Sequence, residues 1–138
     1  MTVNPLYVVI DTNVLVSAML NHNSIPGKIL KHAILGTFTS VLTKEILDEY
    51  IEVLSRPKFG FPSHLISSVV AGLVNKGRFL NPASVDLYMP DPKDVVFYQL
   101  TIESLKICET YLVTGNSKHF PTEDCVVTPR QLIEILER

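Results

Sequence analysis

The chain has 138 residues, 46% of them hydrophobic and 19% charged, which supplies one packed core and excludes a disordered tail. A length in this range predicts a single domain over 1–138. Lys and Arg number 12 against 14 Asp and Glu, a net charge of −2, so a basic nucleic-acid coat is excluded and any nucleic-acid chemistry must rest on a small site. In chain order, Leu6-Tyr7-Val8-Val9-Ile10 is apolar at every position and reads as a strand buried on both faces, ending on Asp11. A helix follows, for which Asp11 is a candidate cap, although Thr12 and Asn13 serve that purpose equally well. Ile25–Leu35 is predicted helical, opened by Ser24 with Pro26 in its first turn and closed by Gly36.

Thr37–Leu42 reads as a second strand and Thr43–Ser55 as a helix stopped by Arg56-Pro57. Ser63–Asn75 is helical, and the stretch from Gly77 to Pro90 holds at most a short strand at Arg78–Leu80. Pro92 to about Lys106 is a helix with Asp91 as its N-cap. Tyr111–Thr114 is a strand stopped by Gly115-Asn116, and Asp124–Val127 is one stopped by Thr128-Pro129. The last helix, Pro129–Glu137, is capped by Thr128. Strands alternating with helices of this length predict an α/β fold, doubly wound in three α/β/α layers around a mostly parallel sheet.

No apolar run reaches the ~18–20 residues of a membrane span, and Met1–Asn13 has no basic leader, so a cytoplasmic protein without membrane association is expected. Cys108 and Cys125 are too few for a disulfide framework and lack metal-ligand spacing, and they read as buried free thiols.

Ligands of open parallel sheets bind outside the carboxyl ends of the strands. Two strands end there on polar residues, Asp11-Thr12-Asn13 and Thr114-Gly115-Asn116. In the Thr43–Ser55 helix, Ile46, Leu47, Tyr50, Ile51 and Leu54 form an apolar stripe, with Glu45 and Glu52 opposite it. Asp48 and Glu49 flank the stripe on its two edges, and periodicity does not choose between them. Capping and the helix dipole account for Asp91 and Asp94 without further function. His119 is a lone loop histidine, and His22, His32 and His64 pair with no Ser or Cys nucleophile. No Gly-rich phosphate loop is present, and Asn13 stands where an aspartate-based phosphotransferase needs a second Asp.

Taken in order, the segments Val8-Val9-Ile10-Asp11-Thr12-Asn13, Leu47-Asp48-Glu49-Tyr50 with Arg56-Pro57-Lys58-Phe59, Asp91-Pro92-Lys93-Asp94, Val113-Thr114-Gly115-Asn116 and Val126-Val127-Thr128-Pro129 resemble the motifs of PIN domains, the PilT N-terminal family of metal-dependent nucleases. The resemblance runs from about Leu6 to Leu136, and its alignment selects Glu49 over Asp48. The variant with Arg-Pro-Lys-Phe and Thr-Gly-Asn is similar to the branch described as toxin components of toxin–antitoxin systems, VapC-like ribonucleases.

The resemblance implies cleavage of single-stranded RNA with Mg²⁺ or Mn²⁺ held by Asp11, Glu49, Asp94 and Asn116. Asp91 is either an auxiliary acid or only the cap. Thr12, Asn13 and Thr114 are expected to hydrogen-bond the carboxylates from behind. Lys58, Lys93, Lys118 and Arg130 are candidate phosphate contacts, with ordinary surface charge as the alternative. No alternation of basic and aromatic residues points to a base-stacking platform. Asn116 stands where many PIN domains carry a further acid, so loose metal binding is expected. A small antitoxin and a homodimer are the implied partners. The competing reading is a PIN-like module that binds RNA or protein without catalysis.

Overall fold

The computed structural model describes residues 5–81 and 92–138. Its elements are β1 (Tyr7–Ile10), α1 (Thr12–Leu20), α2 (Ile25–Leu35), β2 (Thr39–Leu42), α3 (Lys44–Leu54), α4 (Ser63–Lys76), β3 (Arg78–Phe79), α5 (Pro92–Leu105), β4 (Thr110–Val113), β5 (Val126–Val127) and α6 (Pro129–Leu136). A short 3₁₀ turn, Ser117–His119, lies between β4 and β5.

Local chemistry explains most of these boundaries. The Ser24 hydroxyl accepts the Gly27 N–H at 3.2 Å to open α2, and Gly36 closes it at φ +82, a conformation that favours glycine. Thr37 donates its N–H to the His32 carbonyl at 3.0 Å while Gly36 reaches Ala33 at 3.3 Å, the paired bonds of a Schellman end. Thr37 is therefore spent on α2, and β2 begins at Thr39 rather than at the predicted Thr37. At β5 the predicted start is also early. Val126 donates to the Glu123 carbonyl at 3.1 Å, so a turn occupies Asp124 and Cys125 and only Val126–Val127 is strand. Cys108 and Cys125 are free but half-buried, exposed more than the sequence suggested because each sits at an element's edge rather than inside it.

The five strands form one sheet in the order β3-β2-β1-β4-β5, every neighbouring pair parallel. β1 is central, with Val8, Val9 and Ile10 fully buried, as expected of a strand covered on both faces. α5 packs on β1, β2 and β4 with α3 beside it, whereas α4 covers β2, α6 covers β4 and β5, and α2 contacts both α4 and α6. The result is a three-layer α/β/α fold. The chain winds outward from β1 through β2 to β3, then returns to place β4 on the other side of β1. That reversal makes the carboxyl ends of β1 and β4 the switch point where such sheets bind ligands. The register pairs Ile10 with Val113, so Asp11 and Thr114 leave the sheet side by side.

Candidate active site

Asp11 occupies the N-cap position of α1 at φ −66 and ψ 144, yet its side chain makes no cap hydrogen bond. Its Oδ2 accepts instead from the Thr114 hydroxyl at 2.7 Å and from Asn13 Nδ2 at 3.2 Å. Both donors are held in orientation. The Thr114 oxygen accepts the Asn116 N–H at 3.0 Å, which leaves its own hydrogen for Asp11. The Asn13 carbonyl oxygen accepts the Gly115 N–H at 3.1 Å, which turns its amide hydrogens toward Asp11. Residues 11–13 and 114–116 are thereby stitched across the switch point.

Asp11 is 7% exposed, and its carboxyl is raised above the ordinary 3.8. Burial is the largest cause. The Thr114 hydroxyl and the Thr12 N–H pull the other way, Glu49 adds to the rise, and His119 opposes it. A carboxylate in this position carries a desolvation cost that a cation would relieve.

Glu49 projects from α3, half-buried, and its Oε2 accepts a hydrogen bond from the Thr12 hydroxyl. Asp48, one residue earlier, is exposed and paired with Lys44 at 2.8 Å. The two acids that periodicity left equivalent thus face different surroundings. Asp94, in the first turn of α5, has a side chain 13% exposed, and His119 Nδ1 stands 3.7 Å from its Oδ2.

Glu49 and Asp94 line a cleft of about 390 Å³ together with Thr12, Asn13 and Ser17, while Val16, Val53 and Phe59 form its apolar side and Arg56 its edge. Beneath it, Tyr50 is fully buried and donates to the Ile10 carbonyl. Burial, then Asp11 and Glu49, push its phenol well above the ordinary value, so it remains a neutral prop between α3 and the end of β1.

The donor set is all oxygen, two carboxylates on the cleft and a third close enough to feel Glu49, which fits a hard divalent cation. Among the described residues no three His, Cys, Asp or Glu side chains form a ready cage for an ion. Mg²⁺ needs none, because it keeps several waters and takes one or two carboxylates.

The remaining sequence candidates fall elsewhere. Asn116 is exposed and lines an adjoining cleft of about 250 Å³ with Gly115, Pro26 and Pro129, which shares Asn13 and Ser17 with the first. The structure does not bring it to the Glu49–Asp94 cleft. Lys58, Lys118 and Arg130 are exposed, Lys58 with its Nζ 5.1 Å from the Phe59 ring centroid. Asp91 and the side chain of Lys93 lie outside the described residues.

Three residues at the site escaped the sequence reading of single positions. His119 reaches Asp94 because the 3₁₀ turn after Asn116 folds it back, and a lone loop histidine carries no signal of that. Arg56 is held at the cleft edge by Glu52, 3.0 Å away, a spacing of four residues that was visible in the sequence. Phe59 follows from the loop's path.

Residues 7–118 match the family profile described as "PIN domain". The chain is 27% identical over 147 aligned positions to an uncharacterized protein of Methanocaldococcus jannaschii, covering 95% of this chain and 92% of that protein. No solved structure matches the chain significantly.

Proposed function

Because the chain belongs to the PIN domain family, whose function is nuclease-type, we propose that it is a metal-dependent endonuclease of single-stranded RNA and the toxin of a toxin–antitoxin pair. What supports the nuclease reading is that Glu49 and Asp94 line one cleft at the β1–β4 switch point, with Asp11 at the end of β1 close enough to feel the charge of Glu49. Three elements distant in sequence bring them there, and hydroxyl donors are already committed to two of them.

Asp11, Glu49 and Asp94 would hold a Mg²⁺ or Mn²⁺ ion, which would supply a water of lowered pKa and a counter-charge for the scissile phosphate. Thr114 and Asn13 fix the orientation of Asp11, and Thr12 fixes that of Glu49. His119 Nδ1, 3.7 Å from Asp94 Oδ2, flanks that carboxylate from the turn after β4. Asn116 brings no charge and lies outside the cleft, which leaves the site one carboxylate short of the four-acid version. Loose metal binding follows, with high Mg²⁺ required or Mn²⁺ preferred; micromolar Mg²⁺ affinity in a titration contradicts this.

β5 pairs with β4 and α6 packs on both, which supports one folded unit over 1–138 although the family match ends at 118. No helix among the described residues is long and apolar enough to cross a membrane, in keeping with a cytoplasmic site of action. The toxin role, the small inhibitory antitoxin and a homodimer rest on the motif resemblance, and a neighbouring antitoxin gene tests that role. The enzymatic test is cleavage of labelled single-stranded RNA with Mn²⁺ or Mg²⁺, comparing the unaltered chain, Asp11→Asn and EDTA. Cleavage lost in both controls is the expected result. An unaltered chain that binds RNA or a protein partner but cuts nothing selects the binding-module reading.

A further inference from the structure

The loop between α3 and α4, Arg56-Pro57-Lys58-Phe59-Gly60-Phe61-Pro62, carries two half-buried aromatic rings that neither belong to the hydrophobic core nor pack against it. They pack on each other, with centroids 5.6 Å apart and planes inclined by 12°. The loop is a shaped one. Phe59 donates its N–H to the Arg56 carbonyl at 3.1 Å and Gly60 to the Pro57 carbonyl at 3.2 Å. Gly60 sits at φ +67 with open space where a Cβ would be, so the backbone conformation, not crowding, calls for glycine. Prolines at both ends fix φ and limit the loop's freedom. Phe59 is also a wall of the cleft that holds Glu49 and Asp94.

We propose that Phe59 and Phe61 form a stacking platform for one unpaired nucleobase of the RNA strand whose phosphate lies at the acids, with Lys58 and Arg56 contacting the flanking phosphates. The proposal rests on the ribonuclease reading and adds to it the element that selects single strands. A nucleotide chain repeats an anionic phosphate and a flat π-face, and this loop repeats the complement, two cations and two aromatic rings beside the acids. Stacking on aromatic side chains tolerates any base and needs that base unstacked from its neighbours, which a duplex does not offer. Lys58 is exposed with its ammonium over the Phe59 ring. An arriving base takes that place and releases the ammonium to a phosphate, so the same residue serves the free and the bound state.

The test uses single-stranded RNA carrying 2-aminopurine, with the full chain in an Asp11→Asn background and Mg²⁺ so that the strand stays uncut. Binding quenches the 2-aminopurine emission at one position. Phe59→Leu and Phe61→Leu, with folding checked by thermal unfolding, are expected to lose that quench and to raise Kd about tenfold or more. Phe59→Tyr retains it, and affinity for duplex RNA changes little in any variant. Equal quench and Kd in the leucine variants overturn the platform, while cleavage by the unaltered chain leaves the nuclease reading standing. A quench that the leucine variants abolish, with no cleavage by the unaltered chain under Mn²⁺, supports the platform and overturns the nuclease. Absence of RNA binding altogether overturns both.

Discussion

Helices α1 and α6 begin in the same way, each springing from the carboxyl end of a parallel strand with an N-cap residue in extended conformation. At α6 the Thr128 hydroxyl accepts the Gln131 N–H at 3.2 Å and the Gln131 side chain accepts the Thr128 N–H at 2.8 Å, a complete capping box. At α1 the backbone of Asp11 has almost the same dihedral angles, yet its carboxylate makes no cap bond and accepts from the side chains of Thr114 and Asn13 instead. A cap is worth about 1 kcal/mol, and α1 forgoes it. The acid that could have capped the helix end instead ties it to Thr114 across the switch point. Broken local rules of this kind are expected at functional sites.

This contrast can be broken most severely at Asp11. Asp11→Asn keeps the oxygen that accepts from Thr114 but removes the charge, and it is expected to lower RNA cleavage by about 10³-fold, the loss of several kcal/mol of charge stabilisation. The same substitution is expected to stabilise the metal-free protein. The fold raises the Asp11 carboxyl above its ordinary 3.8, so the neutral acid is favoured in the native state and stability is lost as pH rises through that raised value. In EDTA the Asp11→Asn variant therefore has the higher melting temperature near neutral pH, and its advantage closes as the pH is lowered toward about 4. A variant that melts below the parent at neutral pH refutes this sign.

Thr114→Val removes the donor that aims Asp11 and should cost about 10–100-fold in activity, with Thr114→Ser restoring most of it because the hydroxyl alone is needed. Thr128→Ala acts on the other helix. It should lower stability by about 1 kcal/mol, read as a melting point a few degrees lower, and leave cleavage untouched. Last, Asp48→Asn should change neither activity nor metal affinity measurably, since Asp48 faces solvent and its pair with Lys44 is a surface one; a loss comparable to that of Glu49→Gln would remove the distinction drawn between these neighbours.

The fold was legible where the information is local. The all-apolar run of β1, the Ser24-to-Gly36 span of α2 and the Thr128-Pro129 start of α6 are each written into adjacent residues. Boundaries that depend on hydrogen bonds across a turn, as at Thr37 and Asp124, were misjudged by a residue or two because competing turns claim those backbone groups.

Among site residues, Asp11 was visible as an acid with no need to be a cap. Glu49 and Asp48 were not separable by periodicity, since both flank the apolar stripe. The distinguishing clue was Lys44 four residues before Asp48, a ready surface partner. Where Asn116 and His119 point depends on the path of the chain after β4, which no spacing rule conveys. The Phe59–Phe61 stack is likewise a property of the loop's turn, and the alternation of single residues gave no hint of it.

The bond from Thr114 to Asp11 joins residues 103 positions apart, and Gly115 fastens Asn13 from the same strand end. A polypeptide is made from its amino end, so β1 waits beside an open edge until β4 has been synthesised and has docked against it. Until then Asp11 lacks its principal donor and the cleft lacks the turn that carries His119. A growing or truncated chain that ends before β4 therefore carries the acids without the hydrogen bonds that Thr114 and Gly115 bring to Asp11 and Asn13. The wiring of the sheet thus makes this corner of the fold one of the last to be completed.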